Sequence, residues 1–186
     1  MIAGLVFSLG DMAHVYSGMA QYPHWQGVLL FNIPWWVPLE FAGAAFLLML
    51  GNPLLLKIFR ITDPKTVEPQ VILASFLWTL QIYFATSVIP ETSMFKTVTL
   101  FGALAAQIKF TSQITRNRMY SWGSLLEISS VAIAGCSFEW FLGKMEVFTY
   151  FPSPSIMGTI PVWLPCIYAS VAITIRLFCV QFDKSS

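Results

Sequence analysis

The apolar run from about Gly27 to Leu50 constrains this chain most, because it can cross a bilayer and contains two prolines near its start. Pro34 and Pro38 lack a backbone N–H, so a helix through them leaves two carbonyl groups without their usual partners. In a membrane, protein, polar side chains or water in a cavity must satisfy such carbonyls. The run therefore predicts a bent helix that props open a cavity. The plainer alternative is a kinked helix with aromatic anchors at the interface.

Composition indicates a membrane protein. Of the 186 residues, 56% are hydrophobic and only 10% are charged, whereas soluble domains carry roughly 25% charged residues. The net charge of +1 argues against a nucleic-acid partner. Cys136, Cys166 and Cys179 lie in apolar runs without metal-ligand spacing, which indicates packing and neither disulfides nor a metal site. We expect a polytopic membrane protein that has no cofactor and no internal repeat.

Hydropathy predicts an all-α, single-domain bundle of six transmembrane helices over residues 1–186. The fifth helix is the least apolar, so its neighbours should shield it from lipid. Pro165 falls in the first turn of the sixth helix, where a proline is tolerated. The predicted helices span about residues 2–20, 27–50, 70–89, 93–115, 120–142 and 162–182.

Positive charges predict the orientation of these helices. Eight Lys and Arg residues lie on the side of the termini and of the loops after helices 2 and 4, whereas only Lys96 and Lys144 lie on the other side. Loops rich in Lys and Arg stay in the cytosol. We therefore expect both termini in the cytosol. The membrane would be the endoplasmic reticulum of a eukaryote or the inner membrane of a bacterium.

Four acids are predicted at membrane depth, where an ionised group is costly unless it is paired or hydrated. Glu127 should lie a turn or two from the cytosolic side, at the depth of Lys109 and Arg176. One interpretation is an ion pair with either cation that ties helices 4, 5 and 6 together. The other is a cytosol-facing pocket for the polar head of a lipid. Glu139 should lie near the opposite face, close to water.

Asp11, His14 and Glu40 should lie near mid-membrane, with Asp11 and His14 on one helix face. A histidine oriented by a carboxylate is a typical proton shuttle, so these residues would suit a lipid-modifying intramembrane enzyme such as a sterol isomerase. A hydrogen-bonded helix clamp is the structural alternative. The chain has no G-x-S-x-G, Walker or GxGxxG motif, and the sequence favours a protein that is not an enzyme.

Aromatic and polar residues within the helices predict the walls of a lipid pocket. Trp78 should lie deep in helix 3, where its indole N–H needs a partner, with Gln81 on the same face. We expect the lipid body to pack on tryptophans and Phe84, and its head to reach Gln81, Ser124 or Glu127. The predicted lipid-binding residues are Trp35, Trp36, Glu40, Trp78, Gln81, Phe84, Ser124 and Glu127.

Three segments resemble one protein family. Trp35-Trp36-Val37-Pro38, before a run of small residues, is similar to the start of the second membrane helix of the INSIG (insulin-induced gene) family. Trp163-Leu164-Pro165-Cys166-Ile167 is similar to the start of its last helix, and Arg116-Asn117-Arg118 to its Arg-Ser-Arg. The resemblance implies a non-enzymatic, sterol-sensing adaptor. It also implies a place in cholesterol homeostasis, where INSIG proteins bind oxysterols and retain Scap and HMG-CoA reductase. The expected cavity, apolar with one polar end, would also accept a glycerolipid such as diacylglycerol.

The chain departs from the INSIG pattern at three places. Thr115 stands in place of an aspartate that matters for partner binding, and Thr111-Ser112 replaces a Trp-Trp pair. Ser153-Pro154-Ser155 replaces Ser-Pro-Asp. The departure at Thr115 argues against Scap and HMG-CoA reductase as partners, and the resemblance implies a short bacterial or divergent homologue. Small residues on helices 4 and 5 favour self-association.

Overall fold

The computed structural model describes residues 2–25, 29–30, 32–62, 67–90, 94–115, 121–151, 155–156 and 158–182. This part of the chain is all-α, as the sequence predicted, apart from three pairs of two-residue strands. Its helices are α1 (Ile2–Tyr16), α2 (Val37–Ile58), α3 (Pro69–Val88), α4 (Met94–Thr115), α5 (Trp122–Lys144) and α6 (Leu164–Phe182). Its strands are β1 (Ala20–Gln21), β2 (Leu29–Leu30), β3 (Ile33–Pro34), β4 (Thr149–Tyr150), β5 (Ser155–Ile156) and β6 (Ile160–Pro161).

Four of these helices, α2, α3, α5 and α6, are long and apolar enough to cross a membrane. The helix α1 has 15 residues, and α4 has 22 residues that include Lys96, Gln107 and Lys109. The fold is therefore that of a multi-pass membrane protein, while the crossing of all six helices stays a prediction.

The second helix begins at Val37 and not near residue 27, so the prediction of a bent helix through both prolines is wrong. Pro34 ends strand β3, and Pro38 lies in the first turn of α2. A backbone N–H in the first turn has no partner within the helix, so proline is tolerated there. The helix then continues through Pro53, beyond its predicted end. Apolarity alone does not separate the strands β2 and β3 from the helix that follows them.

Two parts of the chain repeat one arrangement of elements. The first unit consists of α1, β1, the β2–β3 hairpin and α2, and the second consists of α5, β4, the β5–β6 hairpin and α6. Each hairpin ends in a buried Ile-Pro pair, Ile33-Pro34 or Ile160-Pro161, and a helix with proline in its first turn follows. The same distance of 127 residues separates the two Ile-Pro pairs and the tryptophans after them, Trp36 and Trp163.

The strands that join the two units pair in a symmetric register. β1 is antiparallel to β4, with Ala20 opposite Tyr150 and Gln21 opposite Thr149. Gln21 and Thr149 are themselves 128 residues apart, so this position of the first unit pairs with its equivalent in the second. The pairing indicates an approximate two-fold axis and corrects the expectation that the chain has no internal repeat.

In each unit a glycine lets the two helices approach closely. A Cβ at Gly4 of α1 would lie 2.2 Å from the carbonyl oxygen of Pro38 at the start of α2. A Cβ at Gly135 of α5 would lie 2.2 Å from the ring of Tyr168 on α6. Each unit is therefore built around a tightly packed helix pair, and most residues of α2 beyond that contact are partly or fully exposed.

A buried polar network joins α3, α4 and α6. The amide nitrogen of Gln107 donates to the hydroxyl groups of Ser75 and Thr79 at 3.1 and 3.2 Å. Its amide oxygen accepts from Ser170 at 2.6 Å, and Thr174 bonds to both Ser75 and Thr79. Because these buried side chains satisfy one another, the network links three helices without leaving polar groups unpaired in an apolar core.

An ion pair joins α5 to α6. Arg176 Nη1 lies 3.2 Å from Glu127 Oε2 and 3.3 Å from Ser124 Oγ, and both charged side chains are only 2% exposed. The predicted pairing of Glu127 with Arg176 is confirmed, while the alternative partner Lys109 is exposed on α4. The contact neutralises two charges that would each be costly if buried alone.

We predict that Gln107→Leu destabilises the fold by about 1–3 kcal/mol, because it removes the hydrogen bonds that link α4 to α3 and α6. Thermal unfolding of the purified protein in detergent measures the change. Gln113→Leu, on the exposed side of the same helix, is the matched control and should change stability by less than about 0.5 kcal/mol. Equal losses for the two variants would contradict the role of the network.

We predict that Glu127→Leu and Arg176→Leu each cost about 3–5 kcal/mol, because either change leaves one buried charge without its partner. The double variant should recover most of that loss, since it replaces the whole ion pair by apolar side chains. The same unfolding experiment on all three variants gives the coupling between the two residues. Losses that simply add would show that the two charges do not depend on each other.

Candidate functional site

An open cleft lies between α2 of the first unit and α6 of the second. It holds about 540 Å³ of space, its mouth included, and the small side chains of Ala44 and Ala45 form part of one wall. The lining is apolar except at Glu139 and three tyrosines. The lining residues are Phe7, Phe41, Ala44, Ala45, Leu48, Tyr83, Glu139, Tyr150, Leu164, Ile167, Tyr168 and Val171.

A smaller polar pocket adjoins the cleft and shares Phe41, Glu139 and Tyr150 with it. Three carboxyl groups from α1, α2 and α5 meet there, and we call this site the acidic pocket. The acidic pocket therefore adjoins the apolar cleft at Glu139 and Tyr150, which gives the cleft a polar end. The acidic pocket is lined by Asp11, Ala20, Tyr22, Val37, Glu40, Phe41, Glu139, Phe148 and Tyr150.

Each unit supplies one acid–tyrosine pair to the acidic pocket. Tyr22 donates a hydrogen bond to Asp11 in the first unit, and Tyr150 donates to Glu139 at 3.3 Å in the second. In both pairs the tyrosine follows the acid by 11 residues, and 128 residues separate the two pairs. The pairs therefore occupy equivalent positions in the two units.

The remaining contacts distinguish the three acids. Glu139 also accepts a hydrogen bond from Tyr168 at 2.8 Å, whereas the carboxyl group of Glu40 makes no hydrogen bond within the described residues. Burial raises the pKa of the Tyr22 and Tyr150 phenols well above the ordinary value, so both stay neutral and act as donors. The pocket consequently presents carboxyl oxygens whose hydrogen-bonding capacity is only partly used.

His14 does not join the acids of the pocket. Its Nε2 atom lies 2.5 Å from Thr86 Oγ1 on α3, and its ring packs on Tyr83 and Trp163. Asp11 and Glu40 do meet, but the imidazole that would complete a proton shuttle with them has a separate partner. In the described ranges, no three His, Cys, Asp or Glu residues are grouped so that they could hold a metal ion.

Two of the eight predicted lipid contacts lie at the acidic pocket or beside it. Glu40 lines the pocket, and the ring of Trp36 packs on Tyr22 at 6.0 Å between ring centres. Trp35, the next predicted contact, is 57% exposed. The start of α2 thus brings part of the predicted set to the polar end of the cleft.

The other predicted contacts lie elsewhere. Trp78 donates its indole N–H to the carbonyl of Ala103 on α4 at 3.1 Å, and Gln81 is exposed on α3. Phe84, one turn further, is partly exposed. Ser124 and Glu127 bond to Arg176 near the start of α5, whereas Glu139 lies near its end. The structure does not bring these residues together, and their part in lipid binding stays a prediction.

Sequence reasoning did not assign the small residues of α2 or the tyrosines of the cleft to the lipid site, and it expected Glu139 near water at the membrane face. The structure places Glu139 beside Asp11 and Glu40. The missed signal is the repeated spacing of an acid and a tyrosine 11 residues apart. Arg116-Asn117-Arg118 and Ser153-Pro154 lie outside the described residues, and Thr115 is the last residue of α4.

The cleft lies at one end of the bundle. It is built from the first half of α2 and α6 and from the end of α5, whereas the Arg176–Glu127 pair lies at the opposite ends of α6 and α5. With the orientation predicted from charge, the cleft lies in the half away from the cytosol. The cytosol-facing pocket that the sequence predicted therefore stays a prediction.

The fold is similar to two crystal structures of MvINS, an Insig homolog from Mycobacterium vanbaalenii. The first is a cross-linked trimer of an arginine-to-cysteine variant, with a TM-score of 0.77, 17% identity and coverage of 96% of this chain and 88% of that one. The second has a TM-score of 0.76, 18% identity and the same coverage. No family model and no curated protein sequence matches this chain. The chain therefore has the fold of a bacterial Insig homologue, in agreement with the resemblance in its sequence.

Proposed function

We propose that this protein is a non-catalytic membrane protein of INSIG type that binds an amphipathic lipid in the cleft. The observation that supports the proposal most is an apolar cleft with a polar end made of carboxyl and phenol groups. Ligand sites are typically apolar clefts in which a few polar groups fix the orientation of the ligand. The lipid tail would pack along α2 and α6, and its head would reach Glu139, Tyr150 and Tyr168.

The chemistry of the cleft suits a sterol or a diacylglycerol-like lipid. Both kinds of molecule carry a large apolar body and a small head with a hydroxyl group, which can donate to a carboxyl oxygen. Thr115 at the end of α4 still argues against Scap or HMG-CoA reductase as partners. The proposed role is therefore that of a lipid sensor or adaptor whose protein partner differs from theirs.

The proposed topology has both termini in the cytosol. Lys57 and Lys109 are exposed near the ends of α2 and α4, and Arg60 is exposed just beyond α2. These ends point to the loops that carry most of the positive charge, and such loops stay in the cytosol. The same exposed cations would contact the lipid head groups of that leaflet.

An enzyme that uses Asp11, His14 and Glu40 is the alternative function. The bond between His14 and Thr86 and the bond between Asp11 and Tyr22 give each residue its own partner. A general base must reach the proton that it removes. These contacts favour a structural role for His14, so we propose no reaction.

Filling the cleft should displace the lipid. Ala45→Phe places a ring in the cleft wall, so we expect the lipid that co-purifies after gentle detergent extraction to fall at least about fivefold. Mass spectrometry measures the amount of lipid per protein. Ala134→Phe, on the exposed side of α5, is the matched control and should keep the lipid.

Two outcomes of this experiment would contradict the proposal. Lipid that is lost with Trp36→Ala but kept with Ala45→Phe would favour the contacts predicted from sequence over the cleft. Absence of lipid from the unmodified protein, together with an unchanged melting temperature after addition of an oxysterol or diacylglycerol, would contradict lipid binding altogether.

We also propose that the chain forms homo-oligomers through α4. Gly102, Ala105 and Ala106 are exposed on this helix, and a Cβ at Gly102 would meet no atom of the described chain within 4 Å. Exposed small residues let membrane helices of neighbouring copies pack closely. The similar structure of a cross-linked MvINS trimer supports the same proposal.

Ala106→Trp should weaken this association, because a large ring keeps two helix backbones apart. Native mass spectrometry should give multiples of the 20.9 kDa chain for the unmodified protein and mainly single chains for the variant. Leu47→Trp, on the exposed side of α2, is the control and should leave the mass unchanged. An unmodified protein that is already monomeric, or equal dissociation by both variants, would contradict the proposal.

A further inference from the structure

The polar end of the cleft gathers three carboxyl groups, and no cationic side chain lies among its described lining residues. Asp11, Glu40 and Glu139 all line the acidic pocket, and neither the pocket nor the cleft has a lysine or arginine among its described lining residues. Lys96 is buried beside Met19 and the ring of Trp163, and it is not among the described lining residues of the pocket. The polar side chains that a head group can meet among these described residues are therefore carboxyl groups and phenols.

Each unit contributes one of these acids in the same arrangement with a tyrosine. Asp11 with Tyr22 and Glu139 with Tyr150 have the same spacing, the same bond and equivalent positions about the symmetric β1–β4 pairing. In membrane proteins built from repeats, substrate sites lie at the interface between the repeats. The pocket occupies that interface, since residues of both units line it.

The hydrogen bonds of the acids leave acceptor capacity for a ligand. An ionised carboxylate accepts at about four positions, whereas Asp11 accepts one described bond and Glu139 two. Glu40 makes none within the described part of the chain. Like charges that lie close together in an apolar region repel unless a proton or a cation is shared among them.

From these observations we propose that the acidic pocket selects lipids by the charge of the head group. It accepts an uncharged hydroxyl or a protonated amine, which donate hydrogen bonds to Glu40 and Glu139, and it excludes phosphate and carboxylate heads. The inference rests on the proposed lipid binding in the cleft and specifies the class of lipid. The apolar walls determine which lipid tail fits, and the acids determine which head group binds.

The exclusion has a simple physical cause. An anionic head would bring a negative charge to a site with three acids, and the phenols of Tyr22, Tyr150 and Tyr168 already donate to Asp11 and Glu139. A hydroxyl or ammonium group supplies the donors that the site lacks. An ammonium also supplies the missing positive charge.

A matched series of lipids tests the proposal. Oleyl alcohol, oleylamine, oleate and oleyl phosphate share one chain and differ only in the head. We expect the alcohol and the amine to bind the full-length protein in dodecyl maltoside micelles at pH 7, with oleate and oleyl phosphate at least about tenfold weaker. Quenching of tryptophan fluorescence, checked by the shift in melting temperature, gives the four affinities.

Neutral variants of the acids should reduce the discrimination. Glu40→Gln removes a charge without breaking a described hydrogen bond, and Asp11→Asn with Glu139→Gln keeps acceptors for the tyrosines. We expect oleate to bind these variants at least about threefold more tightly than it binds the unmodified protein, and oleylamine to bind more weakly. Glu68→Gln, an exposed acid at the start of α3, should change neither affinity.

The outcomes separate this inference from the proposed function. If all four lipids bind equally well and Ala45→Phe abolishes their binding, the cleft binds lipid but the charge selection is wrong. If none of the four lipids binds or shifts the melting temperature, the proposed lipid binding and the charge selection are both wrong. Unchanged discrimination in Glu40→Gln and in the double variant would also overturn the assignment of selectivity to these acids.

Discussion

The antiparallel pairing of β1 with β4 is the interaction on which the candidate site depends. It joins the ends of α1 and α5 in a symmetric register, and the tyrosines that bond to Asp11 and Glu139 lie in or next to these strands. Placing either acid alone on the lipid-facing surface of a membrane helix would cost free energy. The pairing turns two such residues inward to a common pocket, where phenols satisfy part of their hydrogen-bonding capacity.

The membrane class and the order of six helices could be predicted from sequence, because long apolar runs bounded by charge are strong signals. An ion pair of Glu127 was also predicted, but the sequence left its partner open between Lys109 and Arg176. The residue at which α2 starts could not be predicted, because the hairpin before it is as apolar as a membrane helix. That error placed Glu40 in the middle of a span, whereas it lies in the first turn of α2. Asp11 and Glu139 each lie five residues before the end of a helix, so the three acids share one depth.

The internal repeat is present in the sequence at only a few positions, such as Ile33-Pro34 and Ile160-Pro161. Between them, apolar residues of similar size replace one another freely on helices that face lipid or each other, so little similarity remains to be read. The network around Gln107 was also beyond prediction, because its partners lie on two other helices. A polar residue in a membrane helix indicates that a partner exists, but only the packing of the helices identifies it.

The cleft can remain open because its walls do not need to meet. In a membrane, lipid tails are as apolar as leucine, so closing an apolar cleft gains little free energy. Close packing at Gly4 and Gly135 fixes each helix pair, and the polar links of α6 to α3, α4 and α5 hold the second unit in place. The walls therefore define a shape that many lipids fit equally well. Discrimination among those lipids must come from the polar end, where an unsuitable head group leaves charges and hydrogen bonds unsatisfied.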